Sequence, residues 1–238
     1  MRRILLAAAA VAALAAAVSI ASASTVTITQ TPGGKTIHVD GTAGNDSLGL
    51  EIIPGVSDPT ERFYEIHDPA GIPDPVPQGC FRFDANTIHC PVDGVIAFDI
   101  DMHGGADVVR VGPNIFTVLV VEGDAGNDRV EGGDGDDDVE GDRGHDVVDG
   151  GLGDDELEGG PGNDRLLPSP GNDRQFGNEG NDFIAGGAGN DRQNGGPGAD
   201  RIIGGGGRDS QNGGPGRDRC NGGAGNDSAR RCEIGANY

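Results

Sequence analysis

Large side chains are scarce in this protein. The 238-residue chain has no Trp, two Tyr, seven Phe and two Met, and is 34% hydrophobic and 4% aromatic. A core dense with large apolar groups is therefore excluded, and some other source of order is needed. Basic residues are also few: 17 Lys and Arg stand against 39 Asp and Glu, a formal charge of −22. That leaves no basic face for phosphate and excludes a nucleic-acid partner. Neither H-E-x-x-H nor G-x-S-x-G occurs, and His38, His67, His89, His103 and His145 stand singly, so they read as surface or loop residues rather than catalysts. No C-x-x-C pair is present, which speaks against a thiolate metal site. So much charge of one sign with so little apolar surface would ordinarily leave a chain disordered, and bound cations would reverse that outcome.

The N-terminus has the layout of a cleavable secretory signal. Arg2 and Arg3 precede an Ala/Leu/Val run from Ile4 to Ile20, followed by the small residues Ala21-Ser22-Ala23. An uncleaved membrane anchor is the competing reading, and the Ala-rich run is slightly short for a span. The expectation is a signal over 1–23, a secreted, extracellular chain and no stable membrane insertion after cleavage. Four Cys in an exported chain read as two disulfides, with spacing that favours the local pairs Cys80 with Cys90 and Cys220 with Cys232. The first pair flanks a stretch that looks like a hairpin turning near Ala85-Asn86.

Residues 24–122 alternate short apolar runs with turns: Val26-Thr27-Ile28, Ile37-His38-Val39, Ile52-Ile53, Phe63 to Ile66 and Val95 to Ile100. This is a β-rich pattern with no helix-period segment. Pro69, Pro73, Pro75 and Pro77 mark an exposed loop, because proline cannot donate to a sheet ladder. From Gly123 the chain becomes strictly periodic. Twelve nonapeptide units end at Arg230, each with Gly at the fourth position and Asp at the sixth: Asp128, Asp137, Asp146, Asp155, Asp164, Asp173, Asp182, Asp191, Asp200, Asp209, Asp218 and Asp227.

Units such as Gly132-Gly133-Asp134-Gly135-Asp136-Asp137-Asp138-Val139-Glu140 resemble the RTX, or hemolysin-type, calcium-binding nonapeptide G-G-x-G-x-D-x-U-x, where U is a large apolar residue. Gly41 to Leu48 and Gly104 to Val109 look like degenerate relatives. The resemblance implies an all-β fold, a right-handed parallel β-roll over 123–232 preceded by the β-rich region, with residues 233–238 as a tail. It implies that G-G-x-G-x-D forms a loop and x-U-x a strand, two units making one coil. Calcium (Ca2+) would sit between loops eighteen residues apart, with the twelve Asp as metal ligands in two columns offering ten sites. Such loops suit a hard cation that takes six to eight oxygen ligands, since carboxylates and carbonyls must both reach it around tight glycine turns.

Several residues depart from the repeat. The unit Pro168-Ser169-Pro170-Gly171 lacks both leading glycines, which bears on the two sites flanking Asp173. Ala199, Arg208 and Arg217 replace the usual Asn or Asp at position five, which should weaken those loops. The inward positions of one sheet read Val139, Leu157, Gln175, Gln193, Gln211 and Ala229. Either the three Gln stack in register and bond to one another, or this sheet is partly open and they are wet. The N-terminal signal also differs from the C-terminal, uncleaved secretion signal typical of RTX toxins, which argues against toxin activity. The expected function is a non-catalytic, calcium-dependent extracellular structural or binding module. The alternatives are an adhesin or surface-assembly component with a cell-surface or extracellular protein partner on an outward Leu167, Phe183 and Ile203 cluster, or an RTX-type hydrolase with its site in residues 24–122.

Overall fold

A computed structural model describes residues 25–54, 62–67, 76–78, 80–82 and 87–234. The signal expected over 1–23 lies outside them, as do the proposed turn at Ala85-Asn86, the three prolines Pro69, Pro73 and Pro75, and the tail beyond Ile234. The described residues are all β, with no helix long and apolar enough to cross a membrane. They wind into a parallel β-solenoid, as the repeat resemblance implies.

Two long sheets form its walls. One has ten strands in the order Thr25–Thr31, Gly34–Asp40, Val95–Asp101, Val118–Glu122, Asp138–Glu140, Glu156–Glu158, Arg174–Phe176, Arg192–Asn194, Ser210–Asn212 and Ser228–Arg230. The other has twelve, running from Glu233–Ile234 through Arg219–Gly225, Arg201–Gly207, Phe183–Ala188, Arg165–Leu167, Val147–Asp149, Arg129–Glu131, Val108–Val111 and Ser47–Pro54 to Arg62–His67, Thr87–Pro91 and Phe81–Arg82. Within the repeats every step between neighbours advances the sequence by eighteen residues, as in Val139 beside Leu157 and Val148 beside Leu166. The parallel ladder does not stop at Gly123: Val121 pairs with both Ile100 and Val139, and Val109 with both Leu48 and Val130. The strand ending at His67 and the pair closed by the Cys80 to Cys90 disulfide are antiparallel additions at one sheet edge.

Each three-residue strand from Arg129–Glu131 to Ser210–Asn212 buries its middle side chain and turns the flanking two outward, the alternation that a pleated strand imposes, while in Ser228–Arg230 the middle Ala229 is only half-buried. Val130, Val148, Leu166, Ile184, Ile202 and Cys220 stack from one wall and meet Val139 and Leu157 from the other. Burying each aliphatic chain stabilises the coil by about 1.5 to 3 kcal/mol. Toward the N-terminal end the core holds Phe98, whose ring meets Tyr64 edge-on at 4.9 Å, and the Tyr64 hydroxyl lies 2.6 Å from Thr117 Oγ1.

Gln175, Gln193 and Gln211 are buried, which removes the reading of a wet, open sheet. Gln193 Nε2 donates to Gln175 Oε1 and Gln211 Nε2 to Gln193 Oε1, both at 2.8 Å. The ladder begins where the repeat is broken. In neighbouring units the first residue donates its N–H to a carbonyl seventeen residues on, as Gly150 does to Leu167, Gly159 to Phe176 and Gly177 to Asn194. Pro168 has no N–H to give Ala185, and Gln175 Nε2 reaches that carbonyl at 3.3 Å; Gln193 and Gln211 make the same contact with the Ile203 and Asn221 carbonyls at 2.9 and 3.2 Å, where the unit begins with glycine.

Three expectations need correction. Pro77 is buried rather than exposed, because its carbonyl accepts the Cys80 N–H in a turn that draws Val76 and Cys80 onto the core. His89 is no surface or loop residue: it is buried on the strand Thr87–Pro91, with Nε2 2.9 Å from Glu65 Oε2. The outward Phe183 is not a bare apolar patch, since the guanidinium groups of Arg165 and Arg201 lie 4.5 and 5.6 Å from its ring centroid.

Candidate metal centre

The loops joining the two walls are shaped by positions one, two and six of the repeat. At position two the backbone is left-handed in successive coils, with φ of +64° at Asp124, +64° at Asp142, +99° at Gly160 and +70° at Asn178. Asp and Asn accept this conformation more readily than other side chains, which is why they can replace Gly there. Ser169 takes the same conformation, φ +61°, so the Pro168-Ser169-Pro170 loop keeps the turn without its glycines. At position one the space for a side chain is filled by the Asp five residues on. A Cβ on Gly123 would sit 3.0 Å from Asp128 Oδ2, and one on Gly159 2.7 Å from Asp164 Oδ2.

The sixth-position Asp side chains turn inward and form two columns. In one, the backbone N–H of Asp128 donates to Asp146 Oδ1 at 2.7 Å, Asp146 to Asp164 at 2.9 Å, Asp164 to Asp182 at 2.9 Å, Asp182 to Asp200 at 2.9 Å and Asp200 to Asp218 at 3.0 Å. In the other, Asp137 donates to Asp155, Asp155 to Asp173, Asp173 to Asp191, Asp191 to Asp209 and Asp209 to Asp227, at 2.9 to 3.0 Å. All twelve positions read from the sequence fall in these columns, eleven of them buried and Asp227 half-buried.

Two further carboxylates extend the first column. The Asp46 N–H donates to Asp107 Oδ1 at 2.6 Å, and that of Asp107 to Asp128 Oδ1 at 2.7 Å. The fixed period misses them because the gaps are 61 and 21 residues rather than eighteen. The signals that reveal them are the degenerate motifs Gly41 to Leu48 and Gly104 to Val109.

One oxygen of each aspartate is thus engaged by backbone, and the fate of the other decides what the column can hold. Oδ2 of Asp107, Asp128, Asp146, Asp155, Asp164, Asp173, Asp182, Asp191, Asp200, Asp209 and Asp218 is buried without a hydrogen-bond partner. The first member of each column differs: Asp46 Oδ2 accepts the Thr42 N–H and Asp137 Oδ2 the Gly133 N–H. Desolvation of this kind penalises the charged form. Burial pushes the carboxyls of Asp137, Asp146, Asp173 and Asp182 up to about 7, and those of Asp107, Asp155, Asp191 and Asp200 up to about 6, against partial lowering by the N–H each accepts. Rows of buried, unsatisfied carboxylate oxygens beside glycine carbonyls, with no nitrogen or sulfur donor among them, match what a hard divalent cation requires.

Position five builds a second, exposed ladder that the sequence reading assigned only to ion affinity. Asp154 Oδ1 accepts the Asn172 N–H at 2.8 Å, Asn172 Oδ1 that of Asn190 at 3.0 Å, and Asn190 Oδ1 that of Arg208 at 3.1 Å. His145 serves equally, its Nδ1 accepting from Asn163 at 2.9 Å. Ala199 and Arg208 offer no such acceptor to the following coil. Apart from the columns, Asp101, His103 and Asp124 bring ligand atoms within 4.8 Å of one another, and His103 Nδ1 lies 3.0 Å from Asp101 Oδ1.

Comparison with known proteins bears on the same stretch. The family model described as RTX calcium-binding nonapeptide repeat (4 copies) matches residues 120–148, 140–175, 169–196, 176–211 and 194–229. No curated protein and no solved structure matches the chain.

Proposed function

Because residues 120–229 are RTX calcium-binding nonapeptide repeats, we propose that this is a secreted, non-catalytic module whose roll folds around calcium. The observation that carries the reading is the file of buried Oδ2 atoms without partners. The residues proposed to hold the ions are the twelve sixth-position aspartates, with Asp107 as an addition. Bound calcium would supply positive charge where the fold has removed water from carboxylates. Binding to the folded state alone stabilises it by about 2.7 kcal/mol per site at a hundredfold excess over Kd.

Secretion is supported by the basic and apolar N-terminal segment, and the two disulfides suit an oxidising compartment. The non-catalytic reading is supported by the repetition itself: each of the twelve sixth-position carboxylates is engaged by an N–H of the coil before it, the same structural use at every level of the array. Circular dichroism and native mass spectrometry across a calcium titration test the proposal. The chain after signal removal should be largely disordered in chelator and gain β structure on calcium, with half-maximal change at about 10⁻⁴ to 10⁻³ M, the range of extracellular sites. A spectrum unchanged by excess chelator would sink it.

A further inference from the structure

The outer face of the ten-stranded sheet sorts its charges along the roll. One in-register ladder runs Asp138, Glu156, Arg174, Arg192, and the ladder beside it runs Glu122, Glu140, Glu158, Phe176, Asn194. Neighbouring strands lie about 4.8 Å apart, so carboxylates oppose carboxylates in the first coils and Arg174 opposes Arg192 in the later ones. Like charges directly opposite destabilise a sheet. Within the chain the relief is slight: Arg174 Nη1 lies 3.9 Å from Glu156 Oε2 across the boundary, with half of each side chain in water.

This sequence of charges is complementary to its own reverse. Turning a second copy over about an axis parallel to the strands keeps position along each strand and reverses the order of the coils. Asp138 then faces Arg192 of the second copy, Glu156 faces Arg174, and both contacts occur twice by symmetry. The same-direction arrangement would set acid on acid. We propose that two copies of this chain associate face to face through the ten-stranded sheet in reversed orientation, with Phe176 near the centre of the contact.

Strand spacing and residue rise give this narrow face on the order of 400 Å² per copy, below the roughly 800 Å² of a standard interface. The association should therefore be weak, reversible and governed by salt. The idea goes beyond calcium binding but needs a folded roll, so folding is checked by circular dichroism in the samples used for sedimentation. In excess calcium and low salt the wild-type chain should sediment as a reversible dimer at concentrations up to about 500 µM, and at about 1 M salt, where the screening length is about 3 Å, dimerisation should weaken at least tenfold. Asp138→Arg and Arg192→Glu should each weaken it about tenfold, while an equimolar mixture of the two regains wild-type association, since every cross pair is again opposite in sign. A folded wild-type chain that stays monomeric at low salt overturns the proposal, and this arm needs no variant. Folded single variants that dimerise like the wild type, or a mixture no stronger than its components, overturn it equally.

Discussion

A methyl group is enough to probe the stacking. At Gly162 an added Cβ would land on the Gly144 carbonyl oxygen of the coil before and 2.8 Å from Asp164 Oδ1, whereas at Gly206 it would meet nothing within 4 Å. Gly162→Ala should lower stability in excess calcium by about 1 to 3 kcal/mol, the cost of overpacking, and Gly206→Ala should stay within about 0.5 kcal/mol. Chemical unfolding of the two variants checks this, and equal effects would contradict the stacking. The buried carboxyls make a second prediction. Their pKa values in the ion-free fold, about 6 to 7 for Asp137, Asp146, Asp155 and Asp173, exceed the ordinary value near 3.9 of an unfolded chain. Between about pH 4 and 7 the fold then binds more protons than the unfolded state, so its stability without calcium falls as pH rises through that window. In chelator, residual β structure should be greater at pH 5 than at pH 8. From the part of the ion-free chain that protonation keeps folded, calcium must displace those protons, so titration calorimetry should show a heat that depends on the buffer's ionisation enthalpy at pH 6 and not at pH 8. Equal proton release at both values would refute the raised pKa.

At the scale of strands and loops, charge divides the array. From Gly123 to Asp164 sixteen acids face only Arg129 and Arg143, whereas from Arg165 to Tyr238 nine acids balance nine Arg. The acids of the first part include the opposed outward pairs Asp138 with Glu156 and Glu140 with Glu158, while the second part ends on the Cys220 to Cys232 disulfide. As calcium is withdrawn, amide protection should vanish first in the coils before Arg165 and persist longest near the disulfide. Hydrogen exchange across a calcium titration decides it, and protection lost first in residues 165–230, or uniformly, would count against the reading. The strands from Arg129 to Arg230 were legible in the sequence because an apolar or Gln residue at position eight marks each strand's centre. The parallel pairing of Val95–Asp101 and Val118–Glu122 was not, because that step is 21 residues rather than eighteen and the antiparallel strands inserted after Pro54 stretch the step before it, Val39 to Ile100, to 61. The twelve aspartates were legible as a pattern. The position-five ladder was hidden because Asn, Asp and His serve there through a shared ability to accept a hydrogen bond, which a consensus of residue names does not display.

The whole molecule is close to one-dimensional: along the repeats each coil pairs with the coil before and the coil after. Its order is therefore additive along one axis, and the negative charge that the coils share, −22 over the chain, is a repulsion that calcium would have to neutralise throughout. The eighteen-residue step of the ladder also fixes what happens under tension. Pulled by its two ends, such a rod should unreel from an end, one coil at a time. Each coil of eighteen residues would release about 60 Å of contour at roughly 3.3 to 3.6 Å per residue. A force-extension trace should be a staircase of equal treads, with one short tread where the Cys220 to Cys232 bridge withholds the chain it encloses, and reduction should restore that tread to full length. A single all-or-none rupture would show that the coils are not separate units. If the staircase is found, tread length is set by the repeat and the force of each tread by calcium, so the chain behaves as a reel whose drag is adjusted by the ion around it.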